Sequence, residues 1–227
     1  MSTTIRPTLS NFQFSGSNPT TNFNLIPSNV TPETVRAREQ FDDDELSALL
    51  WERLREFYGE DRVKDEGGCW WTATRLNEKF RLCRYDAGGK FSPHYDGRRM
   101  ADVDNQSFMT VNIYLNTVPE CCGGATRALA SPDSAYSPKI QPVLGSAAIF
   151  RDTVWHDGEE LSSGEKYLLR TDVMYRRQIP FDFDTLHVRL NNEEKAVKAM
   201  MIAEALEDAG NGTEAVEWYK RSMRLQS

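Results

Sequence analysis

Between Trp70 and Arg177 the apolar positions fall at every second residue in short runs, and glycine, asparagine and aspartate separate the runs. From Met109 to Leu115, Met109, Val111, Ile113 and Leu115 alternate with Thr110, Asn112 and Tyr114. From Tyr167 to Tyr175, Tyr167, Leu169, Thr171 and Val173 oppose Leu168, Arg170 and Asp172. A period of two marks a strand, because successive side chains leave opposite faces. Phe80–Tyr85, closed by Asp86-Ala87-Gly88-Gly89, and the short apolar run Ala147–Phe150 add two more strands. Many short strands without long helices between them predict a mainly β domain, a sandwich or jelly roll.

Outside that block the period lengthens. Phe41–Tyr58 reads as a helix, with Asp42, Asp43 and Asp44 at its start, where the helix dipole favours acids, and Leu46, Leu49, Leu50, Leu54 and Phe57 as its apolar stripe. After Phe183 the pattern is helical again, with helices over Asn192–Ala209 and Thr213–Leu225 joined by Gly210-Asn211-Gly212. Ala203, Leu206, Gly210, Ala215, Tyr219 and Ser222 have spacings similar to a tetratricopeptide hairpin. One hairpin cannot build a solenoid, so a helical pair packed on the barrel or on another subunit is expected. Residues 1–32, rich in Ser, Thr, Asn and Pro, cannot bury enough apolar surface to offset chain entropy and read as a flexible arm. The predicted fold class is mainly β with flanking helices (α+β), organised as an arm over 1–32, a β domain over 33–183 and a helical hairpin over 184–227.

The 227 residues suffice for one catalytic unit with a real core. A formal net charge of −7 argues against nucleic acid as a partner. There is no long apolar run for a membrane and no apolar core for a signal peptide, so cytoplasm or nucleus is the expected compartment. Cys69, Cys83, Cys121 and Cys122 contain no C-x-x-C pair, which removes a zinc-ligand reading and leaves free thiols.

Chemistry concentrates in His94-Tyr95-Asp96, with His156 and then Lys166 further along. Two imidazoles and a carboxylate can cap one face of an octahedral iron(II) and leave three positions open. On a strand, His94 and Asp96 point the same way while Tyr95 faces elsewhere. The second histidine must then come from a distant strand.

The block Arg84-Tyr85-Asp86-Ala87-Gly88-Gly89-Lys90-Phe91-Ser92-Pro93-His94-Tyr95-Asp96, then Tyr114-Leu115-Asn116, Gly123-Gly124-Ala125-Thr126, His156-Asp157-Gly158, Gly164-Glu165-Lys166-Tyr167 and Leu169–Val173 resembles the prolyl 4-hydroxylase-like branch of the Fe(II)/2-oxoglutarate-dependent dioxygenases. The resemblance implies a double-stranded β-helix, the family's jelly roll, with His94, Asp96 and His156 as catalytic iron ligands. It implies Fe(II), 2-oxoglutarate and O2, with ascorbate as a further candidate, and hydroxylation of an unactivated C–H bond coupled to decarboxylation of 2-oxoglutarate to succinate. Lys166 would pair with the distal carboxylate of 2-oxoglutarate, since a dicarboxylate in a low-dielectric barrel needs its second charge neutralised. Tyr114, Tyr85 and Thr126 would line the same cavity. Arg170, on the Lys166 face, would reinforce that pocket or face the substrate.

Substrate contacts are less defined. Asn112 shares the face of Tyr114. Arg81, Cys83 and Tyr85 share a strand face, so Arg81 points inward with Tyr85 and needs an anion, either a substrate carboxylate or a structural Asp or Glu. Arg98, Arg99 and Met100 directly follow His94-Tyr95-Asp96 and, with Trp70 and Trp71, are candidates for a rim that receives an acidic peptide or a free carboxylate; the plain reading of that stretch is a solvated loop. Phe91 stands three residues before His94, where many prolyl hydroxylases have tyrosine, and no peptide-binding domain is evident, so collagen is not the expected substrate. A peptidyl proline and a small molecule such as an amino acid or biosynthetic intermediate both remain. Two other classes stay open: a cupin-like metal protein that ignores 2-oxoglutarate, and a non-catalytic interaction module built on the helical tail. Oligomeric state is left open.

Overall fold

The structure is a computed structural model that describes residues 34–129 and 136–226; the arm expected over 1–32 lies outside them. In chain order the elements are β1 (Ala37–Asp42), α1 (Asp44–Tyr58), β2 (Arg62–Lys64), β3 (Trp70–Leu76), β4 (Lys79–Tyr85), β5 (Phe91–His94), β6 (Met100–Asp102), β7 (Asn105–Tyr114), β8 (Thr126–Leu129), β9 (Tyr136–Ile140), β10 (Ala147–Arg151), β11 (His156–Gly158), β12 (Lys166–Arg177), α2 (Phe183–Leu186), α3 (Asn192–Ala209) and α4 (Gly212–Gln226). The chain divides into two compact units whose segments interleave. The first takes residues up to Arg53 with Leu76–Gly97 and Met109–Asp172; the second takes Leu54–Arg75, Arg98–Phe108 and Val173–Ser227.

The first unit is the β sandwich expected from the alternation. β1, β4 and β12 lie side by side, β7 pairs β12 and β10, and β5, β11, β8 and β9 form a second sheet in that order. Tyr85, Tyr114, Phe150, Leu161 and Leu168 are buried in one cluster, with Phe91, Ile140 and Val154 of the second sheet's side packed against it. Two antiparallel sheets facing across such a core are a jelly roll. β7 is buried on both faces rather than one, from Gln106 through Tyr114, so its alternation separates the polar cavity side from the apolar core side instead of solvent from core.

Two expectations for α1 are corrected. Phe41 and Asp42 belong to β1, where Phe41 stands opposite Phe80 and stacks on it with ring centroids 5.6 Å apart. The helix begins after Asp43, whose Oδ1 accepts from the Leu46 backbone N–H, so the capping carboxylate fixes the start. The buried stripe is Ser47, Leu50 and Leu54, while Leu49 and Phe57 are about half exposed. Ser47 replaces an apolar residue there by donating its hydroxyl to the Leu76 carbonyl.

The second unit holds the β2–β3 hairpin, the pairing of β6 with the start of β7, and the C-terminal helices. Trp71, Phe108 and Tyr175 form its aromatic centre, and the Tyr175 hydroxyl donates to Asp61 at 2.6 Å. Asn191 opens α3 with a complete capping box, and Gly210, at φ 90°, ends it in the left-handed conformation that glycine adopts without strain. Ala199, Ala203, Leu206 and Ala215 are buried, and Ser222 donates to the Ala196 carbonyl, so small residues let α3 and α4 pack closely. Among the described residues no helix is long and apolar enough to cross a membrane.

Candidate active site

The two histidines meet because β5 and β11 are neighbours: His94 and His156 stand directly opposite in the register. Register slips between His156 and Gly158, and Gly158 lies against Phe91, where a side chain would crowd the Phe91 Cβ. Each imidazole is oriented by its own chain. Nδ1 of His94 lies 2.8 Å from the Ser92 carbonyl, and Nδ1 of His156 lies 2.9 Å from the Val154 carbonyl. A carbonyl only accepts, so each Nδ1 carries the proton and each Nε2 presents a lone pair. Burial pushes the His156 imidazole down to about 4, against the pull of Asp96, which keeps it neutral and able to ligate at neutral pH.

Asp96 completes the group from just beyond the end of β5 rather than from the strand itself. Its oxygens lie 3.4 Å from His94 Nε2 and 3.5 Å from His156 Nε2. Ligand atoms from the three residues lie within 4.8 Å of one another, close enough to hold one metal ion. Tyr95 faces away, half exposed against Trp155. Burial alone would raise the Asp96 carboxyl, but Arg170, the two histidines and Thr110 hold it well below the usual carboxylate range. Arg170 Nη1 lies 2.7 Å from Asp96 Oδ1, and Thr110 donates to Oδ2 at 2.7 Å. The His94 Nε2 is buried without a hydrogen-bond partner. A buried lone pair facing a fixed carboxylate and a second imidazole suits a divalent cation, so the donor set fits iron(II).

The same cavity is lined by Tyr85, Asn112, Thr126, His94, His156, Lys166 and Arg170, together with Arg36, Cys83, Phe91, Asp157 and Leu168. Register explains the grouping, since Lys166 pairs with Tyr85, Leu168 with Cys83 and Arg170 with Arg81 across β12 and β4. Lys166 is 2 % exposed, and Nζ donates to the Gly124 carbonyl at 2.6 Å. Burial pushes its ammonium down to about 8. Nζ lies 5.1 Å from the centre of the Tyr85 ring and 5.8 Å from that of Tyr114. Among the described residues no carboxylate lies within ion-pair distance of Lys166, a cation placed to receive one from outside. Gly124, at φ 76°, leaves room for this lysine, because a Cβ there would crowd Leu161 and touch the Lys166 stem. The Tyr114 hydroxyl donates to Thr126 Oγ1 at 2.7 Å beside it. Asp157, next to His156, is bound by Arg127 through two contacts of 2.8 and 2.6 Å, which fixes β11 to β8.

Four residues expected at the substrate have partners of their own among the described residues. Arg81 points inward as expected, but Asp172 Oδ2 lies 3.7 Å away and Arg81 is not on the cavity wall, so its anion is structural. Trp71 is 2 % exposed, with its indole N–H donated to Asp65, and serves as a core ring of the second unit. Arg98 grips Glu66 with contacts of 3.0 and 2.8 Å, which holds the Glu66 carboxyl down near 2, and its guanidinium covers Phe108. Arg99 reaches the Asp208 carbonyl at 3.4 Å. Conversely, Arg36 lines the cavity and escaped the sequence reading. It precedes β1, whose pairing with β4 links residues far apart in the chain, and no local motif marks it.

Residues 80–171 match the model of the 2OG-Fe(II) oxygenase superfamily. No curated protein matches the chain. Among solved structures the chain is similar to a Pseudomonas putida prolyl-4-hydroxylase at 18 % identity and a TM-score of 0.46, over 68 % of this chain and 78 % of that one. It is similar to a viral collagen prolyl hydroxylase from Paramecium Bursaria Chlorella virus-1 at 22 % identity and 0.43, over 64 % and 80 %. It is also similar to a Trichoplax adhaerens prolyl hydroxylase solved with a hypoxia inducible factor peptide, at 16 % identity and 0.47, over 67 % and 68 %. Residues 80–171, which hold His94, Asp96, His156 and Lys166, match the domain of the 2OG-Fe(II) oxygenase superfamily, and that match supports a dioxygenase.

Proposed function

We propose that this chain is an iron(II)- and 2-oxoglutarate-dependent hydroxylase, inserting one oxygen atom of O2 into an unactivated C–H bond while 2-oxoglutarate becomes succinate and carbon dioxide. The observation that carries this reading is the sharing of one cavity by the His94–Asp96–His156 group and the buried Lys166. His94 and His156 would each give an Nε2, held ready by the Ser92 and Val154 carbonyls. Asp96 would give an oxygen whose direction Arg170 and Thr110 fix. Iron(II), when bound there, would supply the oxidising chemistry with 2-oxoglutarate as its co-substrate. Lys166 would take the distal carboxylate, with Tyr114 and Thr126 completing the wall around it. Tyr85, Phe91 and Leu168 would keep bulk water out, which strengthens every charge contact inside.

A cupin-like metal protein without 2-oxoglutarate would have no use for a desolvated lysine in the metal cavity, and an interaction module would need neither. Substrates in keeping with the site are a peptidyl proline or a small molecule. The test is succinate release from 2-oxoglutarate by purified protein. Release should require added iron(II) and fall by at least about 100-fold in His94→Ala and Asp96→Ala, removal of a metal ligand taking away the whole oxidising centre. Equal release from wild type and both variants would contradict the assignment.

A further inference from the structure

The cavity holds more positive charge than its expected occupants neutralise. Arg36, Lys166 and Arg170 all line it. Asp96 lies against Arg170, whereas Asp157 is already paired with Arg127, and Asp172 lies near Arg81 as well as Arg170. The two charges of iron(II) and the two of 2-oxoglutarate cancel, so Asp96 offsets one cation and two remain. Arg36 stands at the metal end. Its guanidinium carbon lies 3.9 Å from the centre of the Phe91 ring, and that ring lies 3.8 Å from the His94 ring. Its guanidinium hydrogen-bonds the Tyr85 side chain, its Nε is buried without a hydrogen-bond partner, and among the described residues no ion pair joins Arg36 to a carboxylate. Asn112, 6 % exposed, lines the same cavity with Oδ1 buried and unpartnered. A buried guanidinium N–H and a buried lone acceptor each cost free energy unless a ligand satisfies them.

Resting on the hydroxylase reading, we propose that the substrate is a small carboxylic acid that also carries an N–H or O–H donor, a free amino acid in its simplest form, with its carboxylate on Arg36 and its donor on Asn112 Oδ1. The carboxylate would answer the Arg36 guanidinium, and the neutral or charged donor of the same molecule would answer the Asn112 lone pair. A residue within a peptide has neither a free α-carboxylate nor an ammonium to offer, so its backbone answers the guanidinium fork poorly.

The experiment compares the twenty proteinogenic free amino acids with their carboxamides and with short proline-containing peptides. Stimulation of succinate release above the level without added substrate, and a gain of one oxygen atom by mass, identify turnover. Anaerobic calorimetric titration of the iron- and 2-oxoglutarate-loaded protein measures binding apart from activity. The expected result is a free acid that is turned over and binds at least about tenfold more tightly than its carboxamide, a tenfold ratio being about 1.4 kcal/mol. Arg36→Gln should erase most of that acid-over-amide ratio, and Arg36→Lys, which keeps the charge and loses the fork, should recover part of it. Equal binding of acid and amide, turnover of the peptides alone, or no stimulation by any free acid while iron-dependent succinate release persists would overturn the proposal. Absence of that release altogether would remove the hydroxylase reading beneath it.

Discussion

At the scale of the residue, Lys166 is the informative side chain. Its ammonium is almost fully buried, with the Gly124 carbonyl as its hydrogen-bond partner among the described residues, and burial brings it down to about 8. Below that pH the cation is present and the distal carboxylate of 2-oxoglutarate finds it charged; above it the free protein must first take up a proton. The dissociation constant for 2-oxoglutarate should therefore be flat below about pH 8 and rise by up to about tenfold per pH unit above it, one proton being linked to binding. Lys166→Met should bind more weakly throughout and lose that rise, as read by titration across pH; an identical profile in variant and wild type would contradict the role. Lys166, Leu168 and Arg170 share one cavity-facing side of β12, and Thr110, Asn112 and Tyr114 share one side of β7, as strict alternation requires. What Arg170 does there was not legible. Sequence places it on the lysine's face, but only the approach of Asp96 from beyond β5 shows it gripping a candidate metal ligand. Arg81 likewise reads correctly as inward, and only the fold reveals that Asp172 answers it.

At the scale of the element, the strands are legible because each carries its own period, whereas boundaries and pairings depend on contacts the period does not contain. Phe41 continues a helical stripe on paper, yet its ring stacks on Phe80 in β1, and the Asp43 cap starts the helix beyond it. The same competition decides which leucines of α1 matter. Leu50 is 1 % exposed and Leu49 is 49 % exposed, although the sequence pattern counts both in one stripe. Leu50→Ala should cost about 2–5 kcal/mol in denaturant unfolding, by lost burial and the cavity left behind. Leu49→Ala should stay within about 0.5 kcal/mol. Similar losses in the two variants would contradict the placement of the helix. Arg36 escaped notice for a related reason. It reaches the cavity because Ala37 pairs with Arg84, a register that no local pattern encodes.

At the scale of the whole molecule, an acidic chain of net charge −7 gathers Arg36, Lys166 and Arg170 in one cavity of its β sandwich. The low-dielectric walls concentrate the field of those cations inward, so the overall sign of the protein says little about the ligand it receives. That His94, Asp96 and His156 come together was legible, because two imidazoles and a carboxylate at that spacing suit one metal ion. The interleaving of the two compact units was not, since each is assembled from segments separated in the chain by pieces of the other. In the proposed function, one cavity holds iron(II) through His94, Asp96 and His156 and 2-oxoglutarate through Lys166. Anaerobic titration of the apoprotein with iron(II) and then 2-oxoglutarate tests it directly, by the weak visible charge-transfer band of an iron(II) chelate of a 2-oxo acid. Wild type should give that band, His94→Ala should lose it, and Lys166→Met should show it only at much higher 2-oxoglutarate. Iron bound at one equivalent with no band at any 2-oxoglutarate concentration would contradict the proposed function.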